Sequence, residues 1–158
     1  MATMKAEMHQ KQILATMANR TSNEILCDRY YNWSGKPGPF PPPIPAGGQI
    51  KFTDFGNKGA VIYDGPNAAC MPVSWLLAWD APEISSLAPN KVYVTCGLKV
   101  VIDNLTENQI QKKLEEASDK SSHIDPISGT KVDATIKDLI TIVPGGVAAI
   151  NANFGLIN

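Results

Sequence analysis

GAVIYDG (59–65), SWLLAWDAP (74–82) and NKVYVTCGLKVVI (90–102) form the stretch whose reading decides the fold. Each run is rich in the β-branched and aromatic residues that suit a pleated, half-buried surface, and each is bounded by Gly, Pro, Asn or Asp. In the middle run Trp75, Leu77 and Trp79 fall on one face and Leu76 with Ala78 on the other, so both faces are apolar. Such a strand belongs inside a sandwich or beneath a helix. In the third run Val92, Val94 and Cys96 alternate with Lys91, Tyr93 and Thr95, and Gly97 permits a bend before Lys99 to Ile102.

Working outward, GNKG (56–59) reads as a hairpin turn that joins Ala60–Tyr63 to the alternating QIKFTDF (49–55), with Ile50, Phe52 and Asp54 on one face. Before it, KPGPFPPPIPAGGQ (36–49) carries six prolines that fix φ and remove backbone donors, so no helix or interior strand runs through it. We read it as a rigid cover over one end of the sandwich. EILCDRYYNWSG (24–35) begins as a strand, with Ile25 and Cys27 opposite Leu26 and Asp28. From Ala2 to Ala18 the residues are good helix formers, and Met4, Met8, Leu14 and Met17 approach one helical face. Toward the C-terminus, Thr106 and Gln109 have the spacing of a capping box, predicting a helix to about Ser118 with Ile110, Leu114 and Ala117 inward. DKSSHIDPISG (119–129) reads as a loop, KVDATI (131–136) and LITIVPGG (139–146) as strands, and VAAINANFGLI (147–157) as a closing strand with Ala148, Ile150, Ala152 and Phe154 inward.

The expected architecture is mainly β: a two-sheet antiparallel β-sandwich with an N-terminal helix and one helix inserted between strands. Residues 1–20 are expected as a helical arm and 21–158 as a single sandwich domain. The chain of 158 residues is long enough for one sizeable core. Its 14 basic and 15 acidic residues give a net charge of −1, which provides no field to steer it to nucleic acid or an anionic surface. Cys27, Cys70 and Cys96 lack metal-site spacing and are odd in number, so they are expected as buried free thiols. MATMKAEMHQKQIL (1–14) has no apolar run of signal-peptide length, and no stretch reaches membrane-spanning length, so a cytoplasmic or nucleocytoplasmic protein is expected. The Asn-x-Ser/Thr triplets at Asn19, Asn32 and Asn104 are then chance occurrences.

No phosphate-binding glycine loop occurs, and no cofactor is implied. His123, Asp125 and Ser121 or Ser122 are too close in sequence to form a catalytic relay, because triad members converge from distant segments. The binding residues expected are Asp80 together with Tyr30, Tyr31, Asn32, Trp33 and Ser34, where amphipathic aromatics beside small polar side chains can stack on sugar rings or meet lipid headgroups. Asp80, with Asp54 and Asp64, is a strand-end carboxylate.

Tyr30-Tyr31-Asn32-Trp33, Gly59-Ala60-Val61-Ile62-Tyr63, Trp75-Leu76-Leu77-Ala78-Trp79 with Pro82, and Val92-Tyr93 resemble the plant jasmonate-induced protein family, known from cereals and Caryophyllales. The resemblance runs from about Ile25 to the C-terminus and implies a protein induced by stress and wound hormones; it carries over no catalytic residue. Pro43-Ile44, Gly59–Tyr63, Leu76–Pro82 and Asn90–Val94 also follow the order seen in actinoporin-like and fungal fruit-body lectin sandwiches, a likeness of fold. A non-enzymatic stress or defence module for a glycan, a lipid headgroup or another small molecule is therefore the first expectation. An enzyme using Asp80 or a histidine in a pocket between the sheets, and a protein-interaction role for the N-terminal helix, are the alternatives.

Overall fold

The computed structural model describes residues 11–34, 37–83 and 86–157. Nine strands run through them: β1 (Gln12–Asn19), β2 (Leu26–Asn32), β3 (Gln49–Phe55), β4 (Lys58–Pro66), β5 (Pro72–Asp80), β6 (Lys91–Leu98), β7 (Lys120–Asp125), β8 (Thr130–Leu139) and β9 (Val147–Leu156). Helices α1 (Lys99–Asp103) and α2 (Glu107–Glu115) lie between β6 and β7. The strands form two sheets, β3-β1-β9-β8-β7 and β2-β4-β5-β6. All pairings are antiparallel except β1 with β9. The expected two-sheet sandwich is the observed one.

The central strands β4 and β5 are buried on both faces. Val61, Tyr63, Trp75, Leu77 and Trp79 point between the sheets and meet Ile13, Met17, Phe52, Ile150 and Phe154 from the other one. Ala60, Ile62, Leu76 and Ala78 point outward and are covered by Ile102 of α1 and by Ile110 and Leu114 of α2. The two faces read from SWLLAWD thus supply two separate cores. The capping box at the start of α2 is present: the Gln109 amide donates to Thr106 Oγ1 at 3.1 Å and Gln109 Oε1 accepts from the Thr106 amide at 2.8 Å. At Gly59, a Cβ would stand 2.6 Å from the Tyr31 carbonyl oxygen and 2.9 Å from Trp79 Cζ2, so only glycine lets β2 and the Trp79 indole approach β4 there.

Six expectations need correction. Gln12–Asn19, within the expected helical arm, is the strand β1, with Ile13, Ala15 and Met17 buried at period two. Its backbone groups bond to β3 on one side and β9 on the other, and that tertiary pairing outweighs a weak local propensity for helix. The remainder of the expected helix, including Met4 and Met8, lies outside the described residues. Lys99 to Ile102 is helical rather than extended, because β6 ends at Leu98 and the turn puts Ile102 onto the outer core. Lys120–Asp125, read as loop, is the edge strand β7, whereas residues 140–146 connect β8 to β9 without being a strand. The proline-rich segment runs along the open side of the sandwich rather than over its end. The Gly38 amide donates to Tyr30 Oη, Pro42 O accepts from Tyr63 Oη, and Ile44 bridges Ile25, so the segment lies beside β2 and close to β3. Lacking most donors, it shields an edge without inviting another strand. Finally, Cys96 is buried and Cys27 partly so, but Cys70 is exposed; all three are free.

The two-core arrangement makes a specific prediction. Leu77→Ala on the inner face and Leu76→Ala on the outer face should each cost about 2–5 kcal/mol, as expected for deleting a buried leucine on either face. Urea denaturation of the two variants checks this. A cost for Leu77→Ala alone would mean that the helices leave the outer face solvated.

Candidate functional site

The five expected residues at the end of β2 do not share one task. Tyr30 points inward, edge-on to Phe52 with ring centroids 5.6 Å apart. Its hydroxyl donates to Asp54 Oδ1 at 2.6 Å. Burial, with the Asp54 hydrogen bond second, pushes its phenol up to about 12. Asn32 Nδ2 donates to the same Asp54 oxygen at 3.1 Å and to the Phe55 carbonyl at 2.9 Å. Ser34 Oγ accepts from the Lys58 amide at 2.9 Å. Asp54 is itself buried, and its Oδ1 also accepts the Phe55 amide. This carboxylate is the hub that holds the end of β2 against the β3–β4 turn.

Tyr31 and Trp33 alternate to the outer face. Their rings stack with centroids 5.6 Å apart and planes 9° apart, and both stay half-buried against the outer core. Trp33 Nε1 donates to Glu107 Oε1 at 2.8 Å, at the first residue of α2. Arg29, two residues before Tyr31 on the same face, is hydrogen-bonded to it. The structure therefore separates Tyr30, Asn32 and Ser34, which brace the chain, from Tyr31 and Trp33, which offer a ring surface. Asp80 lies on the same rim: it pairs in register with Lys58, whose carbonyl accepts the Trp33 amide at 2.9 Å. Burial raises its carboxyl above the usual range, against the pull of Lys58, Lys91 and Asn57.

Other charged groups meet at the opposite end of the sandwich. Lys99 Nζ contacts Asp64 at 2.9 Å, Asp103 at 3.2 Å and Asp28 at 3.3 Å, and Arg29 pairs with Asp103 and Asp28. Burial works against the Lys99 charge, but these carboxylates hold it above the usual lysine range. The expected strand-end aspartates thus do not converge: Asp54 and Asp80 sit at one end and Asp64 at the other. Among the described residues no group of three His, Cys, Asp or Glu is placed to hold a metal ion. Between the sheets the space is filled by Trp75, Trp79, Tyr63 and Phe154, where the enzymatic alternative needed a pocket. The Ser121 hydroxyl accepts from the Val94 amide and the Asp125 carboxylate accepts from the Ser128 hydroxyl.

Lys11 was not singled out from sequence. It is almost fully buried, with Nζ at 3.0 Å from the Pro82 carbonyl and 2.6 Å from Asp138 Oδ1, and its own carbonyl accepts the Gly56 amide. Leu87, Ile140 and Ile142, also missed, project into solvent from the same end. The absence of charge from Ser86–Asn90 and Leu139–Gly146 was the available signal.

This architecture defines a two-sheet sandwich that also occurs in proteins described by their ligands. The lipid binding protein Nakanori superimposes with a TM-score of 0.68 at 13% identity, over 97% of this chain and 75% of its own. The Xerocomus chrysenteron lectin XCL does so with a TM-score of 0.53 at 14% identity, over 90% of this chain and 99% of its own. No protein-family model matches the chain. In sequence it is 31% identical over 155 residues to a jasmonate-induced protein homolog of Atriplex canescens, covering 93% of this chain and 81% of that one. The chain belongs to the jasmonate-induced protein family.

The raised Asp80 carboxyl sets a pH test. The folded state holds the proton more tightly than the unfolded chain, so Asp80 costs stability above its folded pKa and nothing below the unfolded one. Asp80→Asn should raise the melting temperature at pH 7, with the gain shrinking as pH falls toward the ordinary aspartate range. Thermal melts of both proteins across that range check it; a gain independent of pH would contradict the assignment.

Proposed function

We propose that the protein is a non-enzymatic binding module of stressed plant tissue that takes a lipid headgroup at the loop end of the sandwich. The stacked, half-exposed Tyr31–Trp33 pair carries this reading. Parallel rings presented beside hydrogen-bonding groups suit a ligand with an apolar face and a polar tip, and aromatic side chains are common where one end is dry and the other wet. Asp54 and Lys58 hold the flanking Tyr30, Asn32 and Ser34, so the ring pair is set by the scaffold before any ligand arrives. Glu107 supplies a carboxylate next to the Trp33 ring, which favours a headgroup with a cationic portion such as phosphocholine.

A fold shared with a lipid binding protein and with a lectin supports binding over catalysis, and makes a glycan the second reading. A cytoplasmic setting is part of the proposal and accords with three free cysteines.

Calorimetric titration with soluble phosphocholine, alongside a glycan array, tests the reading. Wild type should bind phosphocholine, and Trp33→Ala should weaken it by tenfold or more while the fold is retained. Glycan binding that is lost in the same variant would move the site to the second reading; binding unchanged by Trp33→Ala would dismiss the ring pair as the site.

A further inference from the structure

Three connections meet at the end of the sandwich that carries the ring pair: β3–β4 around Gly56, β5–β6 from Ala81, and β8–β9 over residues 140–146. Residue 11 joins the first two to the end of β8, from which the third leaves. Its carbonyl accepts the Gly56 amide at 3.0 Å, its ammonium donates to Pro82 O at 3.0 Å, and the same ammonium pairs with Asp138 at 2.6 Å. The neighbouring Gln12 amide donates to Gly146 O at 2.9 Å, and the Ala81 amide to Asn57 O at 2.7 Å. The loops therefore form one braced rim instead of three independent flaps.

From this rim large apolar side chains point away from the protein. Ile140 and Ile142 are fully exposed, Leu87 is 91% exposed and Phe55 is 41% exposed. Single exposed apolar residues are ordinary, but isoleucines free of all packing, at uncharged tips of a rim tied together by a buried cation, are an arrangement to be explained. Ser86–Asn90 and Leu139–Gly146 contain no ionisable residue. Beneath the tips the charges are of both signs, with Lys58 and Lys91 on either side of Asp80 and Lys137 next to Asp138. Separate projecting tips without charge match an electrically neutral, deformable apolar phase better than a flat protein surface or an anionic one.

We propose that Ile140, Ile142 and Leu87 insert into the outer region of a zwitterionic lipid bilayer, anchoring the rim while Tyr31 and Trp33 meet headgroups. This rests on the lipid reading above but names a different set of residues. Because uncharged side chains supply the attraction, binding should be insensitive to salt and need no anionic lipid.

The test is flotation with phosphatidylcholine vesicles at low salt and at high salt, comparing wild type with the triple variant Leu87→Ser, Ile140→Ser, Ile142→Ser. These side chains are exposed and unpacked, so the variant should keep the wild-type melting temperature. Wild type should float equally at both salt concentrations, and the variant should lose at least about tenfold in partitioning. Equal flotation of the two proteins, absence of wild-type flotation, or a requirement for anionic lipid would each overturn the proposal. So would wild-type self-association in sedimentation that the variant abolishes without a change in flotation. Phosphocholine titration of the variant separates the two readings: retained soluble binding with lost flotation supports both, while flotation lost in the triple variant with no soluble binding in either protein supports the anchor and removes the ring-pair site.

Discussion

Burial of β4 and β5 on both faces is the constraint from which the rest follows. A sheet whose central strands carry Val61, Trp75 and Leu77 on one side and Ile62, Leu76 and Ala78 on the other cannot leave either side wet. The inner side obliges a second sheet; the outer side obliges α1 and α2. Fully burying one such side chain is worth about 1.5–3 kcal/mol, so leaving the outer row exposed would forfeit an amount comparable to a domain's net stability. Helices between β6 and β7 thus complete the fold.

The same constraint moves chemistry to the ends. With both faces of the central strands occupied, Trp75 and Trp79 are fully buried, and Trp75 Nε1 spends its donor on the Gly155 carbonyl. Surface for a ligand remains where strands end. There Asp54 accepts three donors, from Tyr30, Asn32 and the Phe55 amide, which frees the alternate residues Tyr31 and Trp33 to face outward. Strand periodicity converts a run of five polar and aromatic residues into a bracing set and a presenting set.

How much of this the sequence discloses depends on the range of the interactions. The double-sided strand SWLLAWD and the alternating closing strand are legible because their burial pattern is written in period two over many residues. β1 is not, since Gln, Ala and Met favour helix locally and only pairing with β3 and β9, distant in sequence, makes Gln12–Asn19 extended. β7 is hidden because as an edge strand it exposes Ser122, His123 and Ile124, so it lacks an apolar alternation. The place of the candidate site was legible from Tyr30 to Ser34, but its division was not, because the decisive partner, Asp54, comes 22 residues after Asn32. Leu87, Ile140 and Ile142 were illegible for a related reason: exposure belongs to the assembled loops, and apolar residues beside prolines and glycines read equally well as strand.

Lys11 shows why the rim is built as it is. Holding an ammonium in the interior is costly unless its charge is paired and its donors are satisfied, and a hydrophobic residue of similar size would often serve stability as well. A hydrophobic residue could not, however, hold the Pro82 carbonyl of a loop and the Asp138 carboxylate at the end of β8 in fixed directions. Asp138 remains 44% exposed on its side chain, so the pair is only half removed from water, which lowers the desolvation cost on one partner. Directional bonds fix loop positions where nondirectional packing would only fill space. With the backbone bonds from Gln12 to Gly146 and from Ala81 to Asn57, the buried cation fixes the rim at the place where the apolar tips leave the protein.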